Sequence, residues 1–140
     1  MRIKLLLSGK TTDPWVRDGI AEYARRLQHY ASFSITELPG EITLKALRPT
    51  DHLILLDEHG DTYSSVGWAR NLERTISHLQ KDLVFAVGGP YGFSDDVRNR
   101  ADGSLSLSPM TFSHQLVRLV FLEQLYRAFT IMKGEPYHHE

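Results

Sequence analysis

The residues best equipped for chemistry lie in the last third of the chain. Gly88-Gly89-Pro90-Tyr91-Gly92 stands between an apolar run and a segment in which Ser94 can cap a helix. Glycines at such a junction permit positive φ and let the backbone approach a ligand or another chain closely. The spacing is not that of a dinucleotide-binding G-x-G-x-x-G, and no Gly-Lys-Ser/Thr follows to make a phosphate loop. A tight strand-to-helix turn and a ligand loop both remain open. Downstream, Ser104-Leu-Ser-Leu-Ser108 alternates polar and apolar residues and breaks at Pro109-Met110-Thr111. It reads as a last short strand, or as a loop offering backbone amides and carbonyls to an adenine edge between Leu107 and Met110.

From Ser113 to Met132 the chain carries apolar residues around most of a helix circumference, with Leu116, Leu119, Val120, Phe121, Leu122, Leu125, Tyr126 and Phe129 among them. Such a helix must be covered nearly all round, in a core or a subunit interface. Arg118, Glu123 and Arg127 nevertheless sit within it, and buried charges need partners. Glu123 and Arg127 are four apart and can pair with each other; a phosphate-facing Arg118 or Arg127 is the sharper alternative. The tail, Lys133-Gly-Glu-Pro-Tyr-His-His-Glu140, is polar and terminal, so composition predicts a frayed segment. Its adjacent histidines have no acidic or histidine spacing elsewhere to complete a metal site.

Composition bounds what such residues can do. The chain has 140 residues, room for one domain spanning 1–140 and not two. With 41% apolar and 24% charged residues it has the makeup of a globular domain. Cysteine is absent, which excludes disulfides, thiolate metal sites and a cysteine nucleophile. The formal charge of −1 is not that of a protein holding nucleic acid by bulk electrostatics. An RNA partner would have to be read through a local patch and through shape rather than by global attraction. The apolar start, residues 3–7, is too short for a signal peptide, and no run approaches a membrane span. A cytoplasmic location is the expectation.

The elements that must position these residues alternate in type. Residues 3–7 read as a buried strand. Asp13 and Pro14 read as a cap and first position of a helix striped by Val16, Ile20, Tyr23, Leu27 and Tyr30. A second strand runs from Phe33 to Leu38 and stops at Pro39-Gly40. Residues 41–50 have room for one or two helical turns. His52 to Leu56 is a third strand, ending at Asp57-Glu58-His59-Gly60. Ser64 or Ser65 opens a helix carrying Trp68, Leu72, Ile76 and Leu79, and residues 83–87 form a fourth strand. This alternation predicts a mostly parallel α/β sheet covered on both faces. Ligands in such sheets sit outside the carboxyl ends of the strands, where residues 57–60, 88–93 and 105–112 fall.

Taken in order, several stretches resemble the RlmH-type (YbeA-like) branch of the SPOUT methyltransferases. They are Val87-Gly-Gly-Pro-Tyr-Gly-Phe-Ser94, Leu105-Ser-Leu-Ser-Pro-Met-Thr-Phe112, His114-Gln-Leu-Val-Arg118, Glu123-Gln-Leu-Tyr-Arg-Ala-Phe129 and Gly134-Glu-Pro-Tyr-His138, with Asp13-Pro-Trp15 and Glu22-Tyr-Ala-Arg-Arg26 near the start. The resemblance implies a C-terminal trefoil knot, a rare exception to the rule against knots, and a homodimer. It implies methyl transfer from S-adenosyl-L-methionine to ring N3 of a pseudouridine in 23S ribosomal RNA. By the same resemblance the cofactor would be held by Leu56, Gly88, Gly89, Leu107, Ser108, Pro109, Met110, Thr111 and Phe112. Tyr137 and His138 would be catalytic, with His114, Arg118 and Arg127 toward the RNA and no metal. Residues 41–50 look shorter than in the family by roughly one helix. His139 stands where some relatives carry arginine, whose fork a neutral imidazole does not replace.

Such a transfer is a direct displacement, so alignment of donor and nitrogen is the main requirement. The proton on N3 must leave, and His138 could accept it as a general base or only orient the base. Lack of cysteine speaks against carbon-5 methylation through a covalent adduct. Two other readings stand beside this one: a ribosome-binding protein that keeps the knot without turnover, and a generic, monomeric nucleotide-binding module.

Overall fold

A computed structural model describes residues 2–139. The chain forms β1 (Arg2–Ser8), α1 (Pro14–Leu27), β2 (Ser32–Leu38), a single 3-10 turn (Leu44–Ala46), β3 (His52–Thr62), α2 (Ser65–His78), β4 (Leu83–Val87), α3 (Asp95–Arg100), β5 (Gly103–Ser106) and α4 (Leu116–Met132). The strands make one five-stranded sheet in the order β2-β1-β4-β3-β5. Every neighbouring pair is parallel.

The strand order decides which face each connection covers. A parallel crossover is right-handed almost without exception, so connections running in opposite directions along the sheet lie on opposite faces. From β1 to β2 and from β3 to β4 the chain steps the same way, and α1 and α2 share one face. There they pack with α4 over Ile3, Leu5, Leu7 and Phe85. From β2 to β3 and from β4 to β5 it steps the other way. Ile42, Leu47 and Val97 accordingly cover the second face over Leu6, Leu53 and Val84. Both faces of β4 are thereby buried along its whole length, as its unbroken apolar run requires.

At the centre of the thicker layer, Trp68, Phe85 and Phe121 meet with ring centroids 4.8–6.1 Å apart. No residue of α4 is fully exposed. Its circumferential apolar pattern is met by burial between α1, α2 and the sheet on one side, leaving Val117, Leu119 and Val120 only half covered.

Two sequence expectations are corrected here, and a third is met. Asp13 precedes α1, but its side chain makes no capping bond; only its carbonyl accepts, from the Arg17 amide at 3.0 Å. β3 does not end at Leu56. It runs to Thr62, and its pairing with β5 slips so that Leu105 stands opposite both Leu56 and Asp61. Residues 57–60 are the excursion between the two, a bulge that turns their side chains out of the ladder. Residues 41–50 hold only the single 3-10 turn, within the room that the sequence allows.

Ser64, one of the two expected caps, is the residue that caps α2: its hydroxyl accepts from the Gly67 amide at 3.0 Å. Ser64→Ala is expected to cost about 1 kcal/mol. A urea titration checks this as a lowered midpoint with an unchanged slope.

Candidate functional site

A cavity of about 570 Å³ opens at the carboxyl ends of β4 and β5 and beside the bulge of β3. Three segments distant in sequence build it: the 57–59 excursion, the 87–93 turn and the 105–114 loop, with Val117 at the start of α4 behind them. Of the residues expected at the cofactor, Leu56, Gly88, Gly89, Leu107, Ser108, Met110, Thr111 and Phe112 line this cavity, and Pro109 does not. His114 also lines it, on the exposed rim.

The 88–92 segment is a tight turn that also borders the cavity. The turn is tight, with Gly89 and Gly92 bridging each other and Gly92 at φ +75°. It also forms one wall of the cavity. Residues 103–112 likewise combine two structures: the first four form β5 and the remainder is a loop. That loop is tied to the β3 excursion. Thr111 donates to the Glu58 carboxylate at 2.6 Å, and the Ser106 hydroxyl lies 3.0 Å from both the Glu58 and Ser108 carbonyl oxygens. The Met110 amide donates to the Ser108 hydroxyl at 3.0 Å. Backbone groups are thus fixed around an apolar floor of Leu56, Leu105, Leu107 and Val117.

Three charged residues of the lining, Asp57, Glu58 and Arg98, were not among those expected at the cofactor. The first two follow an apolar strand, a position that marks ligand loops in parallel sheets. Arg98 carries no such signal, because it reaches the cavity only when α3 folds back beside the excursion. Its guanidinium donates to Asp57 at 2.5 Å and lies 5.8 Å from the Phe93 ring. That bond, followed by the amide of His59, holds the Asp57 carboxyl below its ordinary range, so it is ionised.

Arg118 does not line the cavity. It is fully buried and turned toward β1, donating to the Ser8 carbonyl at 2.7 Å and the Thr11 hydroxyl at 2.9 Å, with Glu37 at 3.8 Å. Burial pulls its guanidinium below its usual value, and Glu37 opposes this. The side chain bolts α4 to the loop after β1. Gln115, which the sequence did not single out, adds to that bolt by accepting from the Thr12 amide at 2.7 Å and donating to the Lys10 carbonyl at 3.1 Å. The phosphate-facing alternative for Arg118 is therefore set aside.

The tail departs from its compositional expectation. Beyond Gly134 it folds back along α4 and α1. Tyr137 donates to Glu123 at 2.6 Å, lies 3.1 Å from the Tyr23 hydroxyl, and packs edge-on against Tyr126 at 4.8 Å. Burial first, then its bonds to Glu123 and Tyr23, push the Tyr137 phenol far up, so it stays protonated. Glu123 and Arg127 pair through two contacts, at 2.7 and 3.3 Å, as their spacing suggested. Arg127 also lies over the Tyr137 ring and reaches His138 Nδ1 at 3.0 Å. Because a guanidinium only donates, Nδ1 must accept, and the neutral ring then carries its proton on Nε2. Tyr137, His138 and Arg127 form one cluster, and none of them lines the cavity of the same chain.

Among the described residues no group of three or more histidine, aspartate or glutamate side chains could hold a metal ion. Nor is any described helix long and apolar enough to cross a membrane.

Known proteins match the chain along its length. A family model described as "Predicted SPOUT methyltransferase" matches residues 1–138. The "Ribosomal RNA large subunit methyltransferase H" of Flavobacterium psychrophilum is 47% identical over 157 aligned positions, covering 100% of each chain. A protein of the same name from Parabacteroides distasonis is 45% identical with the same coverage. A solved structure, the SpoU methyltransferase AviRb from Streptomyces viridochromogenes in complex with AdoMet, superposes with a TM-score of 0.51 at 15% identity. It covers 89% of this chain, which spans 56% of that one, and the likeness is one of fold. The parallel sheet, the cavity at its carboxyl ends and the end-to-end family match agree, and the chain belongs to the SPOUT methyltransferase family.

Proposed function

We propose that this protein is a ribosomal RNA methyltransferase of the large subunit. It uses S-adenosylmethionine as methyl donor and N3 of a pseudouridine in 23S RNA as acceptor. The observation that carries this reading is the cavity of about 570 Å³ built by the glycine turn and the 107–112 loop, in a member of this family. The residues present suit such a cofactor. Fixed backbone groups and an apolar floor fit a purine, and carboxylates in the wall fit a cofactor that carries cationic groups. Relatives named as large-subunit methyltransferases match it over their full length. The trefoil knot and a cytoplasmic location belong to the same reading.

Bound there, S-adenosylmethionine supplies an electrophilic methyl group. The protein's work is to hold the acceptor nitrogen in line with it. His138 and Tyr137 are the side chains proposed to meet the target base. Since they lie away from the cavity of their own chain, they would serve the cavity of a second copy, which makes a homodimer part of the proposal. The half-covered face of α4 and the 60% exposed Trp15 offer apolar surface for such contact. With Nδ1 facing the Arg127 guanidinium, the neutral tautomer of His138 presents Nε2–H as a donor, which favours orienting a pyrimidine carbonyl over removing the N3 proton. On this reading the N3 proton leaves to solvent as the nitrogen–methyl bond forms.

Single-turnover methylation of ribosomes tests the proposal. His138→Ala is expected to slow the transfer about tenfold or more, and His138→Gln, which keeps a donor but no base, to recover much of the loss. An unchanged rate in His138→Ala would remove the residue from the reaction. A Gln variant as slow as the Ala variant would make it the base. If the wild-type protein binds S-adenosylmethionine but methylates no ribosome, the non-catalytic binding reading takes its place.

A further inference from the structure

We propose that the Asp57–Arg98 ion pair reads the amino-acid end of the cofactor, Arg98 taking its α-carboxylate and Asp57 its α-ammonium. This rests on the S-adenosylmethionine reading of the cavity and adds a pair of specificity-determining residues to it. The cavity must satisfy a zwitterion at one end of that molecule. Arg98 is the single lysine or arginine among the described lining residues. The acids are Asp57 and Glu58; Glu58 is tied to Thr111 at 2.6 Å and His59 at 3.5 Å, whereas the acid paired with the guanidinium is Asp57. Asp57 and Arg98 stand side by side at 2.5 Å, one carboxylate and one guanidinium, which is the charge complement of an amino acid's two groups.

The local build keeps the pair oriented. The Asp57 side chain is largely buried and its second oxygen accepts from the His59 amide at 2.9 Å. Arg98 is packed at 5.8 Å from the Phe93 ring, and a Cβ on Gly92 would sit 3.3 Å from its Nη2. Asp57 occupies Nη1, and no other side chain among the described residues accepts from this guanidinium. An RNA phosphate is the competing partner for Arg98. It fits less well, because a polyanion would meet both neighbouring carboxylates whereas a zwitterion uses one of them.

Calorimetry on the full chain separates these cases. S-adenosylhomocysteine and 5′-methylthioadenosine share the adenosine and the sulfur, and only the first has the amino-acid end. In Arg98→Gln, S-adenosylhomocysteine should bind about tenfold more weakly or worse, while 5′-methylthioadenosine binds as it does to the wild type. Retained binding of the truncated compound also shows that the variant folds. Equal losses for both compounds would make Arg98 a wall of the cavity and overturn the proposal. So would unchanged binding of both with a raised KM for ribosomes, the signature of a phosphate contact. If the wild-type protein bound neither compound, the cofactor reading beneath the proposal would fail instead.

Discussion

Gly88→Ala should slow methyl transfer about a hundredfold, whereas Gly89→Ala should be tolerated far better. A Cβ on Gly88 would lie 2.9 Å from the Gly92 carbonyl oxygen and 3.1 Å from its carbon. Those are backbone atoms of a turn closed by the Gly89–Gly92 bridge, so they move only if the turn opens. The turn is one wall of the cavity, and a displacement of about 1 Å in a positioning wall can cost about a hundredfold in rate. On Gly89 the added carbon would meet the Ser8 hydroxyl at 3.2 Å, the end of a side chain that can rotate away. Single-turnover rates with saturating ribosomes, paired with calorimetry of S-adenosylmethionine, measure both variants. Equal rates for the two would show that the turn does not shape the site.

Arg118→Ala should lower stability by about 3 kcal/mol, the range for removing one partner of a buried charged network. The loss leaves the Ser8 carbonyl and Thr11 hydroxyl without their donor and opens a void where the side chain had no exposure. The half-exposed Glu37 is screened by solvent and adds little to that figure. It does add a pH dependence. Burial raises the Glu37 carboxyl, but the Thr11 amide at 2.6 Å and the charges of Arg118 and Arg17 outweigh this and hold it below its ordinary value. A carboxyl depressed in the folded state contributes stability that is fully present above its unfolded value, about 4.3. That contribution is lost as pH falls through the lower folded value. Urea midpoints at neutral pH should therefore fall sharply in Arg118→Ala, and the acid-side decline below about pH 4 should flatten in Glu37→Gln. A wild-type midpoint in Arg118→Ala would show that the bolt between α4 and β1 bears no load.

The extent to which the chain announces itself varies by segment. Strands β1, β2 and β4, helices α1 and α2, the cap of α2 and the start of α3 follow from apolar period and cap chemistry, because those signals are local. The cavity loops were visible as strand ends followed by glycine or by alternating serine and leucine. By contrast, residues 57–60 read as a plain loop, because a bulge is defined by what the partner strand does. Leu105 pairing twice is a fact about β5, not about residues 57–60.

The charged residues of α4 divide along the same line. The sequence by itself determined that Glu123 and Arg127 share a helix face, since four residues bring side chains together on any helix. It also determined that Arg118 would need partners, since an arginine in an apolar helix cannot stay unpaired. Which partners was a tertiary matter. Arg118 turns inward because the loop after β1, about a hundred residues earlier, presents a carbonyl and a hydroxyl there. The tail settles on α4 because Glu123, Arg127 and Tyr23 together offer bonds that composition cannot foresee. Periodicity and spacing are properties of one segment; the direction in which a buried charge points depends on groups that only the folded chain brings near.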